Sequence, residues 1–413
     1  MTDDLVTGDM QLLRKINRAA ILHLIQTQGP ISRVSLAHLA KLTPATAFSI
    51  VEELVDDGLV RRSGIGTSAG GRRPILFEFN PGAFAAASVD VRADRLITMI
   101  TDMEARPLAK SVDPYTGSID GAQAARRIIQ ATQAIIRSAG VPQDKLVGLG
   151  ISVPALVNLE GSVVIKAVNL GWEQVPLRAL LAEVLDLPIH ILDVSLALTV
   201  AEANFGAGRG VPNLVCVNVG SGIGSGIVVG GQIYRGADGV AGEIGHMTVD
   251  EDGPQCRCGN YGCLERLAAG PVIVERAVKG LKQGALSDIR DRVDGRLEDV
   301  SVPVLVEAAQ SGDDFARSIW AETGRYLGVG LASVVNALNP EMVIVGGDVT
   351  QMAGDLLLEP LRETVKLRAF EVHARRVSIV AAKLGIEASA IGAGAWAMMR
   401  AGFLAGQSVP CSE

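Results

Sequence analysis

Residues Ala241–Glu265 read AGEIGHMTVDEDGPQCRCGNYGCLE. This one loop gathers His246, Cys256, Cys258 and Cys263, a Cys3His donor set sufficient for a closed tetrahedral zinc site. A site with all four positions filled leaves none for water, so the expected Zn2+ is structural. The plain alternative is three unligated thiols beside a lone histidine. Cys216 and Cys411 stand apart, and five cysteines distributed this way suit a metal better than a disulfide framework. Glu243 and Glu265 bracket the cluster. Their oxygens are harder ligands than thiolates and better used as acceptors for sugar hydroxyls, although for either alone a solvated glutamate is the bland reading.

Upstream, Asn218-Val-Gly220-Ser-Gly222-Ile-Gly224-Ser-Gly226 lies between two apolar strands. Glycine at every second position strips side chains from one turn and bares backbone N–H groups to phosphate or sugar oxygens. A purely structural tight turn fits the same residues. Around it the chain alternates strands and helices. The expected strands are Ala86–Val91, Arg95–Thr101, Leu146–Val153, Ile189–Asp193, Leu214–Val219, Ile227–Gln232, Met342–Val345 and Val377–Ala381. The expected helices include Ala122–Ala139, Pro176–Leu185, Pro271–Gly280, Pro303–Gln310 and Phe315–Asn336. This is an α/β body, a sheet covered by helices.

The first eighty residues differ. Leu12–Gln26 carries apolar residues at helical spacing and stops at Gly29-Pro30; a short helix follows Ser32. Thr43-Pro44 reads as an N-cap with proline at the first helical position, opening a third helix that ends at Gly58. Leu59-Val60 and Ile75–Phe79 flank a glycine-rich tip. Three helices and a hairpin make a winged helix-turn-helix. Thr43, Ala45, Thr46 and Ser49 would face the major groove, and Phe48 either packs or contacts a thymine methyl. Gly70-Gly71-Arg72-Arg73-Pro74 would lay Arg72 and Arg73 in a narrow minor groove. The competing reading is a helical protein-interaction module with incidental arginines.

Charge agrees with the DNA reading. Met10–Phe77 holds nine Lys/Arg against four acids, a balance of +5, while the rest holds 29 against 41, or −12, giving the overall −7. A basic head on an acidic body suits a nucleic-acid partner. No apolar run approaches the roughly 20 residues that span a bilayer, and the acidic start lacks a signal-peptide core, so no membrane role is expected and the expected location is the cytoplasm.

The run Ala-Gly-Glu-Ile-Gly-His followed by Cys-x-Cys-Gly-x-x-Gly-Cys-x-Glu resembles the ROK family (repressors, open reading frames, kinases), over nearly the whole chain. Gly148–Pro154 with Asn169-Leu-Gly-Trp172 looks like its sugar-contact segment, Asn339-Pro-Glu341 with Val345-Gly-Gly347 its nucleotide-side segment, and the head that of its repressor branch. The resemblance implies a two-lobed actin-like, hexokinase-type (ribonuclease H-like) body behind the winged helix-turn-helix. The implied division is residues 1–81, then 82–195 completed by about 385–405, then 196–384. It also implies that Asn169, Glu243, His246 and Glu265 face a sugar, with one nitrogen of His246 given to the sugar and one to zinc.

Two departures bear on activity. Counting back from Ala201-Glu202, the kinases' catalytic aspartate falls at Val194 and their following asparagine at Leu196. Valine cannot accept a proton, and the neighbouring Asp193, on a strand, is expected to point to the opposite face. The kinases' Asp-x-Gly-Gly-Thr loop is here Asp90-Val-Arg92-Ala93-Asp94, with side chains where phosphates would pass. The expectation is therefore no enzyme and no catalytic residue, but a sugar-responsive repressor of carbohydrate-utilisation genes. It would be a homodimer or homotetramer on a palindromic operator, released by a small sugar. The apolar Val194 and Leu196 suggest a pentose such as xylose. The alternatives are an ATP-dependent sugar kinase with a DNA-binding head, and a constitutive DNA-binding protein whose body only oligomerises.

Overall fold

The computed structural model describes residues 10–66, 73–117 and 119–404. Apolar spacing in the first segment yields α1 (Met10–Gln28), then β1 (Ile31–Ser32), α2 (Arg33–Leu39) and α3 (Pro44–Asp56). Ser32 and Thr43 cap α2 and α3, their hydroxyls accepting from the N–H groups of Ser35 and Thr46. β2 (Val60–Ile65) pairs antiparallel with β3 (Ile75–Phe79), and β1 takes the other edge of β3. The buried Ile21, Leu22, Ile25, Leu36, Ile50, Leu54 and Phe77 form the core of this winged helix-turn-helix.

The body uses one five-strand plan twice. β4 (Ala85–Val91), β5 (Arg95–Asp102) and β6 (Pro107–Pro114) form an antiparallel meander. The amphipathic α4 (Gly121–Ala139) crosses to β7 (Leu146–Val153), which lies parallel to β4. A small sheet of β8 (Leu156–Val157), β9 (Val164–Ala167) and β10 (Trp172–Val175) follows, then α5 (Leu177–Ala182) and β11 (Ile189–Asp193), parallel to β7. The order is β6-β5-β4-β7-β11. After α6 (Val194–Phe205), the meander recurs as β12 (Leu214–Val219), β13 (Ile223–Val229) and β14 (Gln232–Tyr234).

Helices α7 (Leu264–Ala268), α8 (Gly270–Lys282), α9 (Ile289–Arg292), α10 (Val302–Gln310) and α11 (Asp314–Leu338) follow the loop of the Cys/His cluster. β15 (Met342–Gly346) then lies parallel to β12. Helices α12 (Asp348–Ala353), α13 (Asp355–Arg368) and α14 (Glu371–Ala374) lead to β16 (Ser378–Ala381), parallel to β15. The second order, β14-β13-β12-β15-β16, matches the first, and two such sheets make the two-lobed actin-like body. The expected strand Ile227–Gln232 is corrected. Gly230 and Gly231 take φ of 58° and 78°, forming a two-residue hairpin turn that ends β13 and starts β14.

The last helix, α15 (Ala388–Arg400), returns to the first sheet. A Cβ on Gly392 would sit 1.8 Å from the Ala197 carbonyl oxygen of α6, and one on Gly150 of β7 1.8 Å from that of Ala393. Backbones therefore touch, and only glycine permits it. Beyond this contact Ala397 and Met398 join the buried cluster of the head, and the Phe403 ring lies 4.1 Å from that of Phe84. Among the described residues no single helix is long and apolar enough to cross a membrane.

Candidate functional site

Gly242 and Gly245 bring their segment onto the β13 backbone, where a Cβ would meet the Ser225 or Ile223 carbonyl oxygen at 2.2 and 2.0 Å. The following turn, Ile244–His246, presents His246 to the cysteine loop, which is fastened by Val249 N–H to Gly262 and Leu264 N–H to Met247. The donor atoms of His246, Cys256, Cys258 and Cys263 all lie within 4.8 Å of one another. Cys256 Sγ is 3.8 Å from His246 Nδ1, and Cys258 Sγ 3.7 Å from Cys263 Sγ. Tetrahedral zinc with Zn–S of about 2.3 Å sets its sulfurs about 3.8 Å apart, a spacing these two pairs match. The Asn260 N–H draws the Cys258 thiol below its ordinary range, while burial, then the neighbouring sulfurs, push Cys263 up to about 12.

With Nδ1 turned to the sulfurs, His246 leaves Nε2 on the cleft side, 3.9 Å from Glu243 Oε2. Burial raises the Glu243 carboxyl above its ordinary value, nearby Glu265 adds to this, and His246 opposes it. Glu265 Oε2 accepts from Ile223 N–H at 2.9 Å. Asn169, exposed in the loop after β9, donates to Ser221 Oγ at 3.3 Å. Glu243, His246 and Glu265 thus surround the β12–β13 hairpin in one lobe, and Asn169 reaches the same hairpin from the other. Sequence reasoning missed Ser221, which only the lobe arrangement brings to Asn169.

Three of the four glycines of that hairpin fit the structural alternative, while a Cβ on Gly220 would meet nothing within 4 Å. A Cβ on Gly222 would lie 2.5 Å from Glu265 Oε2, on Gly224 2.4 Å from Ser195 Oγ, and on Gly226 2.1 Å from Thr199 Oγ1. They clear space for protein side chains.

Asp193 departs from expectation. The chain leaves the sheet there, so strand alternation no longer governs the side chain; it caps α6, accepting from Ser195 N–H at 2.7 Å and Leu196 N–H at 3.1 Å. Burial, with Glu243 adding to it, raises its carboxyl to about 6 against the pull of those N–H groups. The carboxyl is thus within electrostatic reach of Glu243 and the cleft. Val194, the position matched to the kinase aspartate, is the first residue of α6. At the tip of the hairpin an open cavity of about 440 Å³ is lined by Gly220, Ser221, Gly270, Val302, Asp348 and Val349. Arg92 lies beside it, paired with Asp348.

In the head, Thr43, Ala45 and Ser49 are exposed and Thr46 is half-buried. Thr43 and Thr46 share a 2.8 Å hydroxyl contact, and Ser49 Oγ accepts from Arg14 at 3.3 Å. Phe48 packs against the head core beneath the Arg33 guanidinium, which settles its role in favour of packing. Arg14 pairs with Glu53, Arg18 with Asp57, and both Arg33 and Arg62 with Glu52. Glu52 and Glu53 of α3 and Asp57 at its C-cap are thus paired within the head, and its first turns present an exposed polar face. Arg73 is exposed at the return of the wing; Arg72 lies outside the described residues.

The ROK family model matches residues 88–400, and the MarR family model residues 16–64. The xylose repressor of Caldicellulosiruptor bescii is 31% identical over 387 residues, covering 93% of this chain and 96% of its own. The DNA-binding transcriptional dual regulator NagC of Escherichia coli is 30% identical, covering 94% and 93%. Among solved structures, a ROK family transcriptional regulator homologous to the E. coli MLC protein superposes with a TM-score of 0.82 at 26% identity, over 95% of this chain and 98% of that one. A ROK family glucokinase from Streptomyces griseus, in complex with glucose and AMPPNP, reaches 0.68 at 29% identity, over 76% and 99%.

Proposed function

The chain belongs to the ROK family, and on that footing we propose that it is a sugar-responsive transcriptional repressor of carbohydrate-utilisation genes. The observation that carries this reading is the meeting of Asn169, Glu243, His246 and Glu265 at one hairpin between two lobes, in a chain whose head is a winged helix-turn-helix. These four side chains hold the sugar. Thr43, Ala45, Thr46, Ser49, Arg72 and Arg73 face double-stranded DNA. The protein acts in the cytoplasm as a homodimer or homotetramer on a palindromic operator, because sugar closing the lobes then alters the spacing of paired recognition helices. The head is residues 1–81, one lobe 82–195 with 385–405, and the other 196–384.

His246, Cys256, Cys258 and Cys263 hold a structural Zn2+, which, when bound, fixes the loop against β13. The chain's own part is to aim Nε2 of His246 and the Glu243 carboxylate at the sugar. Xylose is the proposed effector: the side chains of Val194 and Leu196 offer nothing to the far hydroxyls of a hexose, and unpaired hydroxyls in a closed site are costly.

One observation favours a second reading. Asp193, beside Glu243, is a carboxyl at the cleft that an ATP-dependent sugar kinase would use as a base. Against it, Arg92 fills the turn that phosphates would need. Isothermal titration with D-xylose, D-glucose and N-acetyl-D-glucosamine, run beside a coupled ATP-turnover assay, separates the two. Binding without turnover supports the sensor; turnover above background overturns it in favour of the kinase. Operator binding indifferent to every sugar would leave only a constitutive DNA-binding protein.

A further inference from the structure

Arg92 occupies the β4–β5 turn, and each nitrogen of its guanidinium donates. Nε donates to Asp90 Oδ2 at 2.7 Å, Nη1 to the two oxygens of Asp348 at 2.7 and 2.9 Å, and Nη2 to the Ile386 carbonyl oxygen at 2.5 Å. Tyr115 donates to the Arg92 carbonyl oxygen and fixes the turn from below. Asp90 is in the first sheet, Asp348 opens α12 at the end of β15 in the second, and Ile386 lies in the turn that leads into α15. One side chain therefore ties together both lobes and the root of the last helix. The Arg92 side chain is 15% exposed, Asp90 fully buried and Asp348 43% exposed, so the guanidinium itself is largely shielded from water, where charge-assisted hydrogen bonds are strong.

From that root α15 runs with its backbone against α6, whose first turn is capped by Asp193 at the cleft. Its last turn joins the buried cluster in which head residues meet Ala83, Ala86 and Met103 of the first lobe. A helix packed so closely on both sides moves as a unit, because packed interiors switch between discrete arrangements instead of deforming continuously.

We propose that Arg92 is an interlobe latch: a positioning residue that holds the cleft closed for ligand and transmits the angle between the lobes to the DNA-binding head through α15. On the sugar side the lobes already touch through Asn169 and Ser221. The Arg92–Asp348 pair joins the same two lobes and so favours the same closed arrangement, and releasing it costs affinity for whatever bridges the cleft. The part concerning ligand rests on the sensor reading above; the part concerning α15 does not.

The test uses the full chain with Arg92→Ala, Asp348→Asn and the double variant. Removing Arg92 strands the buried Asp90 and can impair folding, whereas Asp348 is partly exposed, so Asp348→Asn weakens the latch by removing the charge and one of the two oxygens Arg92 holds, and leaves the Asp90 pair intact. Without ligand, hydrogen exchange of amides in 385–392 and 397–404 is expected to quicken at least tenfold in Asp348→Asn, with β2 and β3 unchanged. With D-xylose, D-glucose or N-acetyl-D-glucosamine, whichever the wild type binds, each single variant weakens binding about tenfold, and the double variant is no worse than Arg92→Ala. Wild-type exchange at both segments in Asp348→Asn overturns the latch. Quickened exchange in a protein whose wild type binds none of the three sugars keeps the latch and removes the sensor.

Discussion

Cys258 is the place to test the metal cluster, because it alone of the three cysteines is exposed. Cys263 is fully buried and bridged to Thr248, so truncating it would open a cavity and confuse metal loss with packing loss. Cys258→Ala removes one ligand of four and little else. Structural zinc binds with about 10–16 kcal/mol, so one ligand is worth roughly 3 kcal/mol, on the order of a hundredfold in affinity. In a buffer holding free zinc at about 100 times the wild-type Kd, the native chain gains about 2.7 kcal/mol from linkage. The variant, then near its own Kd, gains only about 0.4 kcal/mol. With an unfolding entropy of about 0.6 kcal/mol/K for a body of some 300 residues, the 2.3 kcal/mol difference lowers the melting temperature by about 4 °C. Scanning calorimetry in zinc buffer and in chelator, beside elemental analysis for one zinc per chain, reads it directly. A wild type whose melting is indifferent to chelator, or a variant that keeps its zinc and its melting temperature, refutes the tetrahedral assignment.

Three further outcomes follow from the geometry. Asp193, held near pH 6 against an unfolded value of 3.8, binds a proton more tightly in the folded chain. Its contribution is therefore full below pH 4, declines by roughly 2–3 kcal/mol as pH rises to 6, and is flat above; Asp193→Asn should erase that slope in urea titrations, and an unchanged slope would assign it to another group. The Arg33 guanidinium lies 4.7 Å from the centroid of Phe77 and 5.6 Å from that of Phe48. Arg33→Ala should cost the head about 1–3 kcal/mol, read as faster hydrogen exchange at Ile21–Ile25, and unaltered exchange there would show the stacking to be idle. Ala45→Glu puts an acid at the exposed start of α3 and should weaken duplex-DNA binding at least tenfold in fluorescence anisotropy at fixed salt; equal binding would mean this end does not meet DNA.

Much of the architecture was legible where a local signal existed. Thr43-Pro44 announced the start of α3, and β7, β11 and β12 were bounded by their apolar runs. The Cys/His set was legible because its donors are close in sequence. What escaped was encoded over long distances or by burial on every side. α15 is buried nearly all round, which erases the helical period that an amphipathic helix shows. β6, PLAKSVDP, is mostly exposed and polar, and so reads as loop. α13 contains Pro360, normally a stop signal, which is accommodated where α11 offers Gly324. Arg92 was legible as an obstacle to phosphate, but its partner Asp348 lies 256 residues away. Strand alternation fails at Asp193 because the strand ends there and the side chain turns to cap α6.

The place of Ala397 and Met398 in the buried cluster that joins the head to the first lobe also orders events during synthesis. The DNA-binding segment leaves the ribosome first, and N-terminal units ordinarily fold as they emerge. Here the cluster on which that segment meets the first lobe is completed by residues made some 300 positions later. A nascent or C-terminally truncated chain carries a recognition helix on an unfinished core, and only the finished polypeptide presents it firmly. The competence to occupy DNA is thereby tied to possession of a complete cleft.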